Sequence, residues 1–160
     1  MRAVRGQLTE VRRATEADAE LLVGWHADPD VARYWDGETF TRDELVERLK
    51  EPDADSWIVE TSGEPVGYLQ SWCEPGEEPR RGGLDMFLVP HARGQGLGPD
   101  AARALARALL DSGWADLTVD PYLWNETAIR AWVRAGFVPV EEYPADDEHT
   151  AAWLLMRFAD

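Results

Sequence analysis

Apolar residues recur at helical spacing in two segments of the second half of the chain. The first segment predicts a helix beginning near Pro99, with one apolar face formed by Ala102, Leu105, Ala106, Leu109 and Leu110. The second predicts a helix whose inward stripe is formed by Ile129, Trp132 and Val133. Asn125 is a suitable N-cap for this second helix, and Gly136 suits a left-handed C-cap.

The rest of the chain alternates between strand signals and shorter helix signals. Thr15 is placed to cap one early helix, and Thr41 with Glu44 forms a capping box at the start of another. Short apolar or alternating runs predict strands over residues 8–13, 57–61, 65–72, 83–89, 137–143 and 151–158, with a further strand ending at Asp120. Ser62-Gly63-Glu64 predicts a hairpin turn. The pattern is that of a mixed α/β (α+β) fold.

A glycine-rich turn lies between the strand at 83–89 and the helix that begins near Pro99. It reads Arg93-Gly94-Gln95-Gly96-Leu97-Gly98, and its alternate glycines let the backbone approach a ligand closely. The first N–H groups of the following helix favour negative charge, so the segment predicts a phosphate-binding site. It lacks the Lys-Ser or Lys-Thr of a Walker A loop, and its glycine spacing differs from that of a dinucleotide fingerprint.

Composition narrows the function classes. The 160 residues predict one domain spanning 1–160. The net charge of −15 argues against nucleic acid as a partner, because binding phosphates requires a basic surface. An acidic cleft would attract a polycationic substrate, although the same charge is also explained by solubility alone.

Other site classes find no support in the sequence. Cys73 is the lone cysteine, and His26, His91 and His149 are scattered, so no metal site is predicted. There is no Gly-x-Ser-x-Gly turn, no membrane-length apolar run and no apolar core of a signal peptide at the N-terminus. We expect a cytoplasmic protein, monomeric or homodimeric, with no membrane partner.

Two stretches carry a family resemblance. Arg93-x-x-Gly96-x-Gly98 resembles the acetyl-coenzyme A pyrophosphate loop of the GCN5-related N-acetyltransferases (GNAT), and residues 120–137 resemble the following motif of that family. The resemblance implies the GNAT fold, a mixed, mostly antiparallel sheet with helices on both faces. In that fold the fourth and fifth strands splay apart, and the pantetheine arm pairs with the free edge of the fourth strand, here Phe87 to Val89.

The implied cofactor is therefore acetyl-coenzyme A. The residues implied to hold it are Phe87, Leu88, Val89, Arg93, Gly94, Gln95, Gly96, Leu97, Gly98, Pro99, Asn125, Ala128 and Trp132. Within this set the loop amides and Arg93 would bind the diphosphate. By the same resemblance, the backbone N–H of Leu88 or Val89 would polarise the thioester carbonyl.

Acetyl transfer to an amine also requires a group that holds the ammonium or accepts its proton. Asp85 and Asp120 are the candidates, because both should flank the splayed opening. With an ordinary carboxyl pKa each would be a weak base, which favours binding of the ammonium through charge. Many family members carry Tyr at the position of Trp132 as the acid for the thiolate, and an indole cannot replace it. This leaves a water relay, Tyr122 or another group, or a loss of catalysis.

On the substrate side the chain resembles the aminoglycoside 6'-N-acetyltransferases. The residues that this resemblance places around the substrate are Trp35, Asp36, Gln70, Trp72, Asp85, Asp120, Tyr122, Asp147 and Glu148. Aromatic faces suit sugars and cations, and carboxylates suit ammonium groups. Two alternatives stay open: acetylation of a protein N-terminus or of a lysine-type or siderophore amine, and a non-catalytic sensor of acyl-coenzyme A.

Overall fold

A single sheet organises residues 2–160, the part of the chain that the computed structural model describes. Its strands are β1 Val4–Arg5, β2 Glu10–Arg13, β3 Ala54–Thr61, β4 Glu64–Cys73, β5 Arg81–Leu88, β6 Asp116–Val119, β7 Phe137–Tyr143 and β8 Trp153–Phe158. They lie in the order β1-β2-β3-β4-β5-β6-β8-β7. Every neighbouring pair is antiparallel except β5 with β6. The expected mixed, mostly antiparallel sheet is confirmed.

The helices begin where the sequence supplies capping groups. They are α1 Ala19–Ala27, α2 Pro29–Ala32, α3 Arg42–Arg48, α4 Leu97–Asp111 and α5 Glu126–Ala135. Thr41 and Glu44 form the expected capping box at α3, while Asn125 caps α5 by accepting a hydrogen bond from the Ala128 N–H at 3.2 Å. Gly136 is the C-cap of α5. Its φ of 109° is a conformation that glycine adopts without strain and that other residues adopt only with strain.

Hydrophobic clusters cover both faces of the sheet. On one face α4 buries Ala101, Ala102, Leu105, Ala106 and Leu109 against strand residues such as Trp57 and Leu69. On the other face Leu22, Val31 and Leu45 of α1 to α3 pack on Ile58, Tyr68 and Phe87. Because successive residues of a strand face opposite sides, neighbours such as Trp57 and Ile58 serve different clusters. Asp85 shares the second face with Phe87.

The gap that positions the site opens between β5 and β6. These strands pair only where Arg81–Gly83 meet Asp116–Thr118, and β6 then pairs with β8. From Leu84 to Leu88 the sheet provides β5 with no partner on that side. The expected splaying of two strands at this point is confirmed.

Two expectations about local structure are wrong. The first long strand begins at Glu10 and not at residue 8, because the N–H groups of Gln7 and Leu8 donate to the Asp100 carboxylate at 2.9 Å each. Val133 is half exposed and not part of the inward stripe of α5. The buried stripe follows Ala128, Trp132 and Ala135, and Val133 lies about 100° around the helix from Trp132.

None of the helices in the described range has both the length and the apolar character needed to cross a bilayer.

Candidate active site

A cleft of about 580 Å³ occupies the gap between β5 and β6 and continues over the start of α4. Its residues divide into two groups by charge. The half formed by the glycine turn and α5 carries Arg93, Arg130 and Arg134. The other half carries five carboxylates, together with Arg48 and His149; the carboxylates are Asp36, Glu38, Asp85, Asp120 and Glu148. One end therefore suits an anion and the other suits a cation.

The turn before α4 leaves its backbone open to the cleft. Gly94 and Gly96 have φ of +75° and +79°, a region that residues with a Cβ adopt only with strain. A Cβ at Gly94 would meet no atom within 4 Å, whereas one at Gly98 would lie 3.2 Å from the Met86 methyl carbon. Gly96 is the N-cap of α4, so the first N–H groups of the helix are directed towards this space. These residues fit a diphosphate.

Arg93 braces this turn. Its Nε donates to the carbonyl of Leu88 at 3.1 Å, and its Nη2 donates to the carbonyl of Asp30 at 2.9 Å. The guanidinium also lies 5.3 Å from the centre of the Tyr34 ring. Arg93 thus fixes the turn to the end of β5 and to α2 while it lines the basic half of the cleft.

The backbone N–H groups of Leu88 and Val89 were the two candidates for polarising the thioester carbonyl. Only one of them lies on the edge of β5 that faces the gap. The Val89 N–H is already bonded to the Val66 carbonyl at 2.9 Å. Antiparallel hydrogen bonds alternate along a strand, so the N–H of Leu88 is directed away from β4 and towards the gap. Of the two candidates, Leu88 is the one whose N–H is available.

Asp85 lies in the acidic half, opposite Gln70 in the β4–β5 register. Burial raises the pKa of Asp85 to about 7, and the negative charges of Asp120 and Asp36 add to this effect against the opposing charges of Arg48 and His149. The expectation of an ordinary carboxyl pKa for Asp85 is therefore wrong, because the pKa in the fold is close to 7.

His149 bridges two carboxylates at the rim of this acidic half. Its Nε2 lies 2.7 Å from Oδ2 of Asp120, and its Nδ1 lies 2.8 Å from Oδ1 of Asp146. Its ring stacks on Trp153 with centroids 4.2 Å apart. Burial opposes the charged form, but the hydrogen bonds with Asp120 and Asp146 outweigh it and raise the pKa of His149.

The remaining polar wall is built around Arg48 and Tyr122. Arg48 donates to Oε1 of Gln70 at 2.7 Å and lies 5.8 Å from the centre of the Trp35 ring. Its other terminal nitrogen is buried without a hydrogen-bond partner among the described residues. Tyr122 donates to Asp36 at 2.9 Å and so links the loop after α2 to the segment after β6.

The structure brings most of the sequence-predicted site residues to this cleft. Those that line it are Trp35, Asp36, Gln70, Asp85, Phe87, Leu88, Arg93, Gly94, Gly96, Leu97, Gly98, Pro99, Asp120, Tyr122, Asn125, Ala128, Trp132 and Glu148.

Four predicted site residues lie outside the cleft. Val89 is buried and its N–H is used within the sheet, and the Gln95 side chain turns back to the carbonyl of His91. The Trp72 ring covers Gly83, where an added Cβ would approach its Cζ2 to 2.6 Å. Asp147 is exposed and does not face the cleft, unlike its neighbour Glu148.

Sequence reasoning missed His149 and Arg48. No local motif distinguishes them: His149 is a single histidine in an acidic loop, and Arg48 ends a short helix far from the glycine turn. Only the register of β4 on β5 and the fold of the 144–152 loop bring them to Asp85 and Asp120.

The known proteins that this chain is similar to are acetyltransferases. Residues 14–144 match the model of an acetyltransferase (GNAT) domain. The aminoglycoside N(6')-acetyltransferase type 1 of Klebsiella pneumoniae is 30% identical over 145 residues, covering 79% of this chain and 72% of the relative.

Two solved structures of AAC(6')-Ib share this fold. One, in complex with paromomycin and acetyl-coenzyme A, superposes with a TM-score of 0.82 at 26% identity, covering 96% of this chain and 94% of its own. The other, with coenzyme A and kanamycin, has a TM-score of 0.79 at 26% identity and covers 93% of each chain.

Proposed function

Because the chain belongs to the GNAT acetyltransferase family, we propose that it transfers an acetyl group from acetyl-coenzyme A to the 6'-amine of an aminoglycoside-like polycation. One observation carries the proposal. A single cleft joins a glycine turn and three arginines at one end to five carboxylates at the other. The first group suits a diphosphate and the second suits several ammonium groups.

The basic half of the cleft would hold the donor. The N–H groups at the start of α4 would bind the diphosphate, and Arg93 would keep the turn in place. When bound, acetyl-coenzyme A supplies the acetyl group as a thioester. The Leu88 N–H would stabilise the negative charge that develops on the carbonyl oxygen, because a fixed donor needs no reorganisation during the reaction.

The acidic half would hold the acceptor. Asp120 and Glu148 would bind ammonium groups by charge-assisted hydrogen bonds, and the face of Trp35 would pack on a sugar ring. Asp85, with a pKa near 7, and Asp120, which is hydrogen-bonded to His149, would be the two candidate acceptors for a proton of the amine.

One observation favours a second candidate, a catalytically silent sensor of acyl-coenzyme A. Trp132 occupies the position where the family resemblance implies the tyrosine that protonates the thiolate. The Trp132 ring is buried against Phe137, with ring centroids 5.3 Å apart, and its indole N–H cannot act as such an acid. In a sensor this cleft would bind the donor without turnover.

A thiol-release assay separates these functions. Acetyl-coenzyme A is mixed with kanamycin or tobramycin, with a peptide bearing a free N-terminus, or with a lysine-type amine, while calorimetry measures coenzyme A binding. The proposal expects turnover with the aminoglycosides and an acetyl group on the 6'-nitrogen by NMR. Turnover only with the peptide or the lysine-type amine would assign the other substrate class, and binding without any turnover would assign the sensor.

A further inference from the structure

His149 connects the acidic half of the cleft to solvent through two short hydrogen bonds. Asp120, on the cleft side, has a side chain that is 40% exposed, while that of His149 is only 11% exposed. Asp146, on the far side, is 44% exposed. The three side chains therefore form a chain of hydrogen bonds that begins inside the cleft and ends at the surface.

The far end of this chain is held rigidly. Oδ1 of Asp146 accepts hydrogen bonds from the N–H groups of Glu148 and His149 at 2.9 and 2.8 Å, and Oδ2 accepts one from the Trp153 indole at 3.1 Å. The same Trp153 stacks on the imidazole. Together with the hydrogen bond between His149 and Asp146, these four contacts fix the orientation of both side chains.

The hydrogen-bond geometry constrains the protons. Each ring nitrogen lies within hydrogen-bonding distance of a carboxylate oxygen, so the imidazolium can donate on both sides. A neutral ring that keeps its proton on Nδ1, towards Asp146, can accept a proton through Nε2 when Asp120 carries one. The imidazole can thus alternate between a neutral form and an imidazolium flanked by two carboxylates. This is the arrangement in which a histidine accepts a proton from one neighbour and loses it to solvent.

Acetylation of an ammonium group creates a need for such a path. The substrate nitrogen begins with three protons and ends as an amide with one, so two protons must leave while the new C–N bond forms and the C–S bond breaks. One proton completes the thiol of coenzyme A. The other is released to solvent, and it must leave a cleft that the bound substrate fills.

We propose that His149 is the exit for this second proton, a role that rests on the proposed function. The ammonium N–H transfers its proton to Asp120, the proton passes from Asp120 to Nε2 of His149, and the imidazolium gives up its Nδ1 proton to water at the exposed side of Asp146. Exchange of the remaining ring proton with water then restores the starting tautomer. His149 acts through Asp120 and is a positioning and relay residue for the reaction.

The groups around His149 define how the path depends on pH. Asp120 faces it from the end of β6, Asp146 and Glu148 from its own loop, and the Tyr122 ring at 6.1 Å from the segment after β6, while Asp85 lies across the cleft. The carboxylates that flank the ring raise its pKa above the usual value, against the effect of burial. Because the relay needs a neutral imidazole, kcat should fall as pH decreases through that raised pKa.

The test compares His149→Gln with His91→Gln. Glutamine keeps hydrogen-bonding capacity at position 149 but cannot carry a proton, and His91 is an exposed histidine paired with Glu64 away from the cleft. Full pH profiles of kcat and KM are measured with an aminoglycoside, and imidazole titrations of both variants and the wild type are followed by NMR. We expect His149→Gln to lower kcat on the order of 10- to 100-fold with little change in KM, and to remove the part of the acid limb that follows the His149 titration seen by NMR in the wild type. We expect His91→Gln to match the wild type.

Two further variants protect the test against a folding defect. Asp146→Asn removes the charge beside Nδ1, and its amide oxygen can still accept the hydrogen bonds made to Oδ1, although the Trp153 indole loses its acceptor. It should lower the pKa of His149 in the NMR titration and move the acid limb of kcat to lower pH. His149→Ala should be restored in part by free imidazole, which a purely structural role would not produce.

Other outcomes would overturn the proposal. If His149→Gln lowers KM and leaves kcat unchanged, His149 is a cation that competes with the substrate for Asp120. If its kcat and pH profile equal those of the wild type, no relay passes through this residue. A wild-type protein that acetylates no amine would overturn the proposed function and the relay together, whereas wild-type turnover with an unaffected His149→Gln would overturn only the relay.

Discussion

At the scale of single residues, the chemistry of the site depends on how far each charged group is withdrawn from water. Asp85 is the clearest case, because burial at the cleft raises its pKa to about 7 in spite of the opposing charge of Arg48. Such a group favours its neutral form in the fold and its charged form in the unfolded chain near neutral pH. Its presence therefore costs stability in return for a base suited to an amine.

Replacement of Asp85 by Asn should stabilise the protein in a pH-dependent way. The pKa of Asp85 in the folded protein lies above the 3.8 of a free aspartate side chain, so the cost of Asp85 is small at pH 4, grows between pH 4 and 7, and is complete above pH 7. We expect Asp85→Asn to raise the free energy of unfolding by about 2–4 kcal/mol at pH 8, with no gain at pH 4. Urea unfolding at both pH values measures this. An equal effect at pH 4 and pH 8 would contradict the raised pKa.

Asp120 gives a prediction about ligands. Asp120→Asn removes a charge from the substrate half of the cleft and leaves the glycine turn untouched. We expect kcat/KM for an aminoglycoside to fall roughly 100-fold, in line with the loss of a charge-assisted contact and of a proton acceptor. The Kd of coenzyme A, measured by calorimetry, should stay within a factor of about two. A parallel loss of both would argue against its assignment to the substrate.

At the scale of elements, the start of α4 is the part on which donor binding depends. It is fixed from two sides. Arg93 ties the turn to β5 and α2, and the Asp100 carboxylate accepts hydrogen bonds from the N–H groups of Gln7, Leu8 and Thr9. These hydrogen bonds lower the pKa of Asp100, against the opposing effect of burial. The turn is thereby held open before any ligand arrives, which reduces the entropy lost on binding.

A comparison of two glycines tests this role. Gly96→Val and Gly113→Val both place a branched residue at positive φ, at 79° and 111°, and an added Cβ at either position would lie no closer than 3.8 Å to another atom. Both should lose roughly 1–2 kcal/mol of stability from backbone strain. Only Gly96→Val should abolish coenzyme A binding, because Gly113 lies at the far end of α4. Calorimetry and thermal unfolding of the two variants provide the comparison, and an unchanged Kd for Gly96→Val would refute the binding role of the turn.

At the scale of the whole molecule, charge is distributed unevenly. The chain has a net charge of −15, yet the donor half of its cleft carries three arginines. The acidic half is therefore part of a generally negative surface, and the basic half is a local exception. A polycationic acceptor would be attracted over a long range, while the anionic donor would depend on the fixed contacts at α4.

This distribution predicts a difference in salt dependence. The kcat/KM for kanamycin, with several ammonium groups, should fall several-fold between about 0.05 and 0.5 M NaCl, because added salt shortens the screening length to a few ångström. A substrate with one amine should change much less, and kcat for both should stay nearly constant. The matched monoamine serves as the control. If kcat/KM depended equally on salt for the two substrates, the net charge of the protein would have no role in how fast the substrate associates with it.

Individual residues show which local features the sequence was sufficient to predict. The capping residues Thr41 and Asn125 and the two long helices follow from short-range signals and were predicted correctly. Val133 was assigned to the wrong face because two overlapping stripes both have helical spacing. One runs through Ile129 and Val133, and the other through Ala128, Trp132 and Ala135. Which stripe is buried depends on how α5 packs on α4 and β7, and local spacing does not contain that information.

The sequence by itself determined the elements, the glycine turn with its phosphate-binding chemistry, and the family, because these depend on residues close together in the chain. Tertiary structure alone decided which of Leu88 and Val89 has a free N–H and that Trp72 covers Gly83. It is likewise the reason that the pKa of Asp85 lies near 7. It also decided that His149 meets Asp120, from which it is separated by 29 positions. Hydrogen-bond pairing, burial and the meeting of distant charges are properties of the packed chain, since each depends on what lies across the sheet or the cleft.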